Sequence, residues 1–230
     1  MKLQDAIVLI TGANRGIGLA FAEAALERGA RKVYAGARSP SSISTPGVVP
    51  VKLNVTSDSD VAAAARICSD VTLVVNNAGI ARPGGLLNPE ATEAAHAQFD
   101  TNVFGILRMT QAFAPVLAKN GGGAFLNVLS AASWINSGAM TAYAVSKAAA
   151  WSLTNGLRNE LRQQGTQVLG LHVGFVDTDL SRGLDVVKVS PLSVVTTAFD
   201  ALEAGASEVL ADERARMVKR GLTTKPAIYL

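Results

Sequence analysis

Residues 6–20 read Ala6-Ile7-Val8-Leu9-Ile10-Thr11-Gly12-Ala13-Asn14-Arg15-Gly16-Ile17-Gly18-Leu19-Ala20. The run Ala6–Ile10 is apolar without a break and rich in β-branched side chains. A strand with one face in water alternates, so an unbroken run predicts a strand buried on both faces, as in a parallel sheet. Three glycines follow at once, and a helical pattern then runs from Ile17 to Arg28. Glycines at 12 and 16 let the chain turn sharply and let a ligand come close to the backbone. Gly18 lets the helix pack tightly on the sheet. The helix N-terminus offers free N–H groups and the positive end of its dipole, which suits a pyrophosphate. Glycine spacing alone is a weak signal; its place between the first strand and the first helix strengthens it.

Outward from this turn, short apolar runs alternate with longer helical patterns. Lys32–Ala35, Val48–Asn54, Val71–Val75, Ala124–Leu129 and Gln167–Val173 read as further buried strands. Ser57–Ser69, Thr92–Lys119 and Ala142–Gln164 read as helices, and Gly29 and Gly165 stand where helices should stop. The alternation predicts an α/β fold: a doubly wound, mostly parallel sheet flanked by helices, of Rossmann type, with right-handed crossovers. The Ser/Pro-rich stretch Ser39–Pro50 is a loop leading into a strand, and Gly121–Gly123 is a turn. No linker or repeat divides the chain, so residues 1–230 are read as one domain.

Composition narrows the functions available. The chain has 230 residues, 49% of them hydrophobic, enough for one large core. Charged residues make up 17% and nearly cancel, leaving +3. That balance argues against nucleic acid, which needs a concentrated basic face. Arg214, Arg216, Lys219 and Arg220 form a small basic cluster, read as a solvated helix face. The single cysteine, Cys68, allows no intrachain disulfide and fits a reducing compartment. It lies on an Ala-rich helical stretch and reads as a buried structural thiol. Two histidines, His96 and His172, are too few for an ordinary zinc site, and no metal or flavin requirement is visible. No stretch reaches the roughly 18 apolar residues of a membrane span, and the N-terminus does not read as a signal peptide. A soluble, cytoplasmic protein without a membrane partner is expected.

The end of the second strand separates two dinucleotides. An acidic residue there hydrogen-bonds the ribose hydroxyls of NAD. Here the sequence is Val33-Tyr34-Ala35-Gly36-Ala37-Arg38. No acid is present, Ala37 leaves room, and Arg38 can pair with a 2′-phosphate. Arg15 in the glycine turn offers a second positive charge. NADP(H) is therefore the expected cofactor.

These residues resemble the short-chain dehydrogenase/reductase family in its compact single-domain form. The matches are Thr11-Gly12-x-x-x-Gly16-x-Gly18, Asn76-Asn77-Ala78-Gly79, Asn102, Ser130 and Tyr143-x-x-x-Lys147, and they run from Thr11 to about Asp179. Several motifs in order and at the right spacing are specific where one would not be. The resemblance implies that Gly12, Asn14, Arg15, Gly16, Ile17 and Gly18 hold the cofactor's phosphates. It implies that Asn54 and Val55 meet its adenine; the family usually has Asp at the first of these, and Asn keeps a carbonyl acceptor. Asn77, Ala78 and Gly79 would support the ribose. Gly174, Val176 and Thr178, in the turn His172–Thr178, would lie beside the nicotinamide, with Thr178 a candidate to bond its carboxamide or a phosphate. Val173 departs from the proline usual in that turn.

The same resemblance makes Tyr143 the acid/base, Ser130 the substrate-oxygen site, and Asn102 the holder of a water in a proton relay. Each role has a physical basis. Free tyrosine has a pKa near ~10 and needs a nearby cation to shuttle protons near neutrality. Lys147, four residues on, shares a helix face with Tyr143 and can also bond the nicotinamide ribose. Ser130 ends the fifth strand, where open parallel sheets bind ligands, and its hydroxyl can stabilise developing charge. Trp134, Ile135 and Met140 are candidates for an apolar substrate wall, while Ser133 reads as a loop serine. Leu180–Val189 reads as a short lid over a small or medium apolar carbonyl compound. The expected activity is carbonyl–alcohol interconversion, chiefly reduction. Alcohol oxidation, or a nucleotide-sensing role, remains open. The resemblance also implies a homodimer or homotetramer through the helices around Phe99–Lys119 and Tyr143–Gln163. Ala148, Ala149, Ala150, Leu153 and Leu157 would be either that interface or ordinary core.

Overall fold

The structure, a computed structural model, describes residues 1–230. Seven parallel strands form one sheet: β1 (Ile7–Thr11), β2 (Lys32–Ala37), β3 (Val49–Lys52), β4 (Leu73–Asn76), β5 (Gly123–Val128), β6 (Thr166–His172) and β7 (Glu208–Leu210). Their order across the sheet is β3-β2-β1-β4-β5-β6-β7. Helices cover both faces: α1 (Gly16–Glu27), α2 (Asp58–Ile67), α3 (Ala91–Phe99), α4 (Gly105–Lys119), α5 (Thr141–Glu160), α6 (Pro191–Glu203) and α7 (Glu213–Gly221). The fold is the expected doubly wound Rossmann type, now with a seventh strand that the sequence did not betray. At three residues, half-exposed, β7 is too short to carry a period.

The unbroken apolar runs are explained by two cores. Successive side chains of a strand point to opposite faces. Val8 and Ile10 of β1 therefore join α1 and α6 on one side, while Ile7 and Leu9 join α2, α4 and α5 on the other. Phe21 of α1 meets Phe199 of α6 edge to face, with centroids 5.2 Å apart. Cys68 is fully buried in the second core, as expected of a structural thiol, and burial pushes it up to about 12. Ala150 and Leu157 of α5 are core residues of this second layer, and Ala149 and Leu153 pack against them.

The stretch read as one helix from Thr92 to Lys119 is interrupted. Residues Asp100–Phe104 form a π-helical turn between α3 and α4. Such single-turn bulges are rare and cluster at functional sites; this one carries Asn102.

The winding reverses between β1 and β4, on either side of which crossovers run in opposite directions. A crevice opens there at the carboxyl ends of the strands, the usual ligand site of open α/β sheets. The ends of β1, β4, β5 and β6 bring Thr11, Asn76, Ser130 and His172 toward it.

Candidate active site

The glycine turn leaves the start of α1 open. Gly12 and Gly16 have φ of +66° and +57°, a region side chains disfavour. A Cβ on Gly18 would stand 2.1 Å from the Gly12 carbonyl oxygen, which no side chain tolerates. Helix α1 starts at Gly16 with no side-chain cap and no acidic residue in its first turn. Its leading N–H groups and its dipole are thus left for a ligand. Asn14 lies half-buried in the turn, and Ile17 packs against the first core. This donor set fits a pyrophosphate.

Asn77, Ala78 and Gly79 are riveted to that turn. The Thr11 hydroxyl accepts from the N–H groups of Asn77 and Ala78 at 3.0 and 2.9 Å. The Asn77 side-chain amide donates to the carbonyls of Thr11 and Gly12 at 2.9 and 3.2 Å. Thr178 lies opposite, its Cγ2 only 3.2 Å from where a Gly16 Cβ would be.

Arg38 follows β2 directly, is exposed, and forms no ion pair or hydrogen bond. Arg15 is also exposed and reaches across the crevice to Asp179 at 3.0 Å. The Asn54 side-chain carbonyl accepts from the Thr56 N–H and hydroxyl at 3.2 and 3.0 Å and so holds its own turn. Val55 is buried, with its Cγ2 close against Gly105.

Beside the carboxyl end of β5, α5 presents Tyr143 and Lys147 on one face. Lys147 is buried at 5% exposure, and its Nζ donates to the Val128 carbonyl at 2.8 Å. Burial lowers its pKa to about 8. Desolvation pushes the Tyr143 hydroxyl above the ordinary phenol value, against the smaller lowering effect of the nearby Ser130 hydroxyl. The direction is opposite to that expected from a neighbouring cation. Burial is the larger effect, and the Lys147 ammonium, 5.8 Å from the Tyr143 ring centroid, is turned toward Val128. Ser130 is buried and caps the short turn Ala131–Ser133 through the Ala132 N–H at 3.0 Å.

Asn102 is buried, and its side chain is fully engaged. It accepts from the Ile80 N–H, and donates to the Ile80 carbonyl at 2.9 Å and to Ser146 Oγ at 3.0 Å. The side chain therefore pins the loop after Gly79. A Cβ on Gly79 would lie 3.3 Å from Asn102 Oδ1 and 3.8 Å from Lys147 Nζ, so these three groups meet at one point.

Trp134 packs away its faces: it stacks on His172 at 3.9 Å, meets Trp151 edge-on, and carries the Lys219 ammonium 4.4 Å from its ring centroid. His172 is fully buried beneath Ser130, with Nδ1 donating to the Ser130 carbonyl at 3.2 Å, and burial lowers its pKa to about 4. Gly174 and Val176 lie on the segment that runs from Ser130 to the glycine turn. The Ala131 N–H donates to the Val173 carbonyl at one end of that segment, and Thr178 faces Gly16 at the other.

Several supporting residues escaped the sequence reading. Ser133, read as a loop serine, is buried and donates to the Lys147 carbonyl at 3.0 Å. Ser146 joins Asn102 to the Tyr143 carbonyl. Asn76 and Asn127 are register partners on β4 and β5, bonded at 2.8 Å, and Asn127 donates to Thr154. Polar residues inside apolar runs were the available signal for these, but their partners are remote in sequence.

A family model described as short chain dehydrogenase matches residues 6–186. The 3-oxoacyl-[acyl-carrier-protein] reductase FabG of Vibrio harveyi is 31% identical over 194 residues, covering 80% of this chain and 79% of that protein. A short chain dehydrogenase from Burkholderia cenocepacia, solved in complex with NADP, is 40% identical with a TM-score of 0.94 over 98% of this chain and 96% of that one. A gluconate 5-dehydrogenase from the same organism, solved with NADP and tartrate, is 25% identical with a TM-score of 0.82, over 91% of this chain and 94% of that one.

Proposed function

The chain belongs to the short-chain dehydrogenase family of oxidoreductases, and from that premise we propose that it is an NADP(H)-dependent reductase of small carbonyl compounds. The observation that carries the reading is the meeting of Tyr143 and Ser130 at the end of β5, with the buried Lys147 ammonium behind them. NADPH, when bound, supplies the hydride. Gly12, Asn14, Arg15, Gly16, Ile17 and Gly18 would hold its phosphates, and Arg38 with Arg15 its 2′-phosphate. Val55 would bound the adenine, with Asn54 shaping the turn beside it. Asn77, Ala78 and Gly79 would support the ribose together with Lys147, and Gly174, Val176 and Thr178 the nicotinamide end. The NADP-bound relative from Burkholderia supports the choice of cofactor.

Ser130 Oγ holds the substrate carbonyl oxygen by a hydrogen bond. Tyr143 donates its proton to that oxygen as negative charge develops there. Its elevated pKa suits a donor, and Lys147 stabilises the phenolate left behind. Asn102, through the loop it pins and a water beside Lys147, provides the route by which Tyr143 is reprotonated. Trp134 braces the turn beside Ser130 that shapes the substrate side. The exposed apolar side chains Leu180, Leu184, Val186 and Val187 follow the crevice and suit a short lid for an apolar substrate. The substrate is a small molecule, the compartment cytoplasmic, and the assembly a homodimer or homotetramer.

The test is loss of NADPH absorbance with a panel of aldehydes, ketones and quinones. Wild type should consume NADPH with some of them, and Tyr143→Phe should be slower by on the order of a thousandfold while still binding NADPH. NADPH that binds tightly but is consumed with none of the panel would count against broad carbonyl reduction.

A further inference from the structure

Asp212 sits outside the crevice, at the start of α7, and is 4% exposed. One of its carboxylate oxygens does what an N-cap does: Oδ1 accepts from the Ala215 N–H at 2.8 Å. A cap needs only that one oxygen. The other, Oδ2, accepts from the Gly174 N–H at 2.5 Å, across 38 positions of sequence. Gly174 fits this contact closely, since a Cβ there would stand 2.9 Å from the Arg214 Cβ and 3.0 Å from Asp212 Oδ1. Further bonds tie the same corner. The Ala211 N–H donates to the His172 carbonyl at 3.0 Å, and Arg214 lies over the Phe175 ring at 5.3 Å.

The segment so anchored spans the reaction crevice from the neighbour of Ser130 to Thr178 opposite Gly16. Val173 gives it no ring to restrict φ. A charge-assisted bond from a buried carboxylate restrains Gly174, beside the bonds of the Val189 N–H to the Phe175 carbonyl and of the Ser181 hydroxyl to the Val176 carbonyl. We infer that Asp212 is a positioning residue that fixes the Gly174–Val176 backbone against the nicotinamide end of the dinucleotide, so that α7 acts on the site through one carboxylate. The inference rests on the cofactor reading above.

The test uses two variants that keep the helix cap. Asp212→Ser retains an oxygen for Ala215 but is too short to reach Gly174. Asp212→Asn retains one acceptor and turns a donor or nothing toward the other N–H; both are good N-caps. Two probes are titrated calorimetrically against each full-length protein: NADPH, and 2′-phospho-ADP-ribose, which lacks the nicotinamide. Both variants should bind NADPH weaker by on the order of tenfold while 2′-phospho-ADP-ribose binding stays within about twofold. A purely structural role would move both probes together. Equal weakening of both, or of neither, overturns the inference. A wild type that binds both probes but reduces no carbonyl refutes the reductase reading alone, because the comparison of probes reads binding. A wild type that binds neither refutes the cofactor reading and this inference with it.

Discussion

Burial places the Lys147 proton where ordinary assays can see it. Its folded pKa, about 8, lies below the ordinary lysine value. Between the two, the folded chain has released a proton that the unfolded chain still binds, so stability rises with pH across that window and is lowest below 8. In the proposed mechanism catalytic assistance runs the other way, because the charge that would stabilise the Tyr143 phenolate is lost above about 8. Reduction rates should therefore fall above pH 8, while Lys147→Met should be slow at every pH and lack that limb. Denaturant titrations at pH 7 and pH 10 should show wild type gaining stability relative to Lys147→Met. A wild-type rate flat to pH 10 would show that the ammonium is not needed. Arg38 offers a separate test at this scale. With no partner in the protein, its guanidinium costs nothing to redirect toward a 2′-phosphate. Arg38→Ala should weaken NADPH by on the order of tenfold to a hundredfold and leave NADH nearly unchanged, the loss expected for a charge-assisted bidentate pair. Parallel cofactor titrations decide it; equal loss for both would mean that Arg38 does not read the phosphate.

At the scale of elements, the pairing of α1 with α6 holds the glycine turn in place from behind. Phe199→Ala empties a fully buried site against Phe21 and should cost about 3–5 kcal/mol, lowering the thermal midpoint by about 10 °C. Calorimetry checks this, and a shift under about 2 °C would mean that the cavity collapses. The strands and the glycine turn were legible because their signals are local: runs of β-branched residues, then glycines where a side chain would collide. Tyr143 and Lys147 were legible for the same reason, as an i, i+4 pair. What was not legible depends on partners far apart in sequence. The π-helical turn at Asp100–Phe104 adds one residue to an otherwise continuous apolar period, and the bonds of Asn102 to Ile80 and Ser146 mark it. The turn-holding role of Asn54 hinged on whether its carbonyl would face out or toward Thr56. The direction of the Tyr143 shift follows from burial of its hydroxyl, and Lys147 Nζ turns to the Val128 carbonyl, a partner that spacing cannot reveal.

At the scale of the molecule, the question is which apolar surface is left once both sheet faces are covered. Ala150 and Leu157, the middle of the α5 stripe, are consumed by the core. Phe104, the last residue of the π-helical turn that leads into α4, and Val145, on α5, remain 46% and 41% exposed. They belong to the two neighbouring helices on the same side of the sheet, where the assembly was expected to form. Large side chains left in water on adjacent helices favour burial against a second copy, at about 25 cal/mol for each Å² covered. A chain of 23.8 kDa should therefore scatter light as a particle of two or four such masses. The double substitution Phe104→Glu with Val145→Glu puts like charges on both sides of any symmetric contact between copies. It should yield a monomer with an unchanged helical spectrum. The Glu side chains are solvated in the monomer, so neither should disturb the core. A wild type that is monomeric at micromolar concentration would rule the assembly out. A double variant that keeps the wild-type mass would move the contact to another face, and the C-terminal residues Tyr229 and Leu230, 59% and 92% exposed, would be the next to substitute.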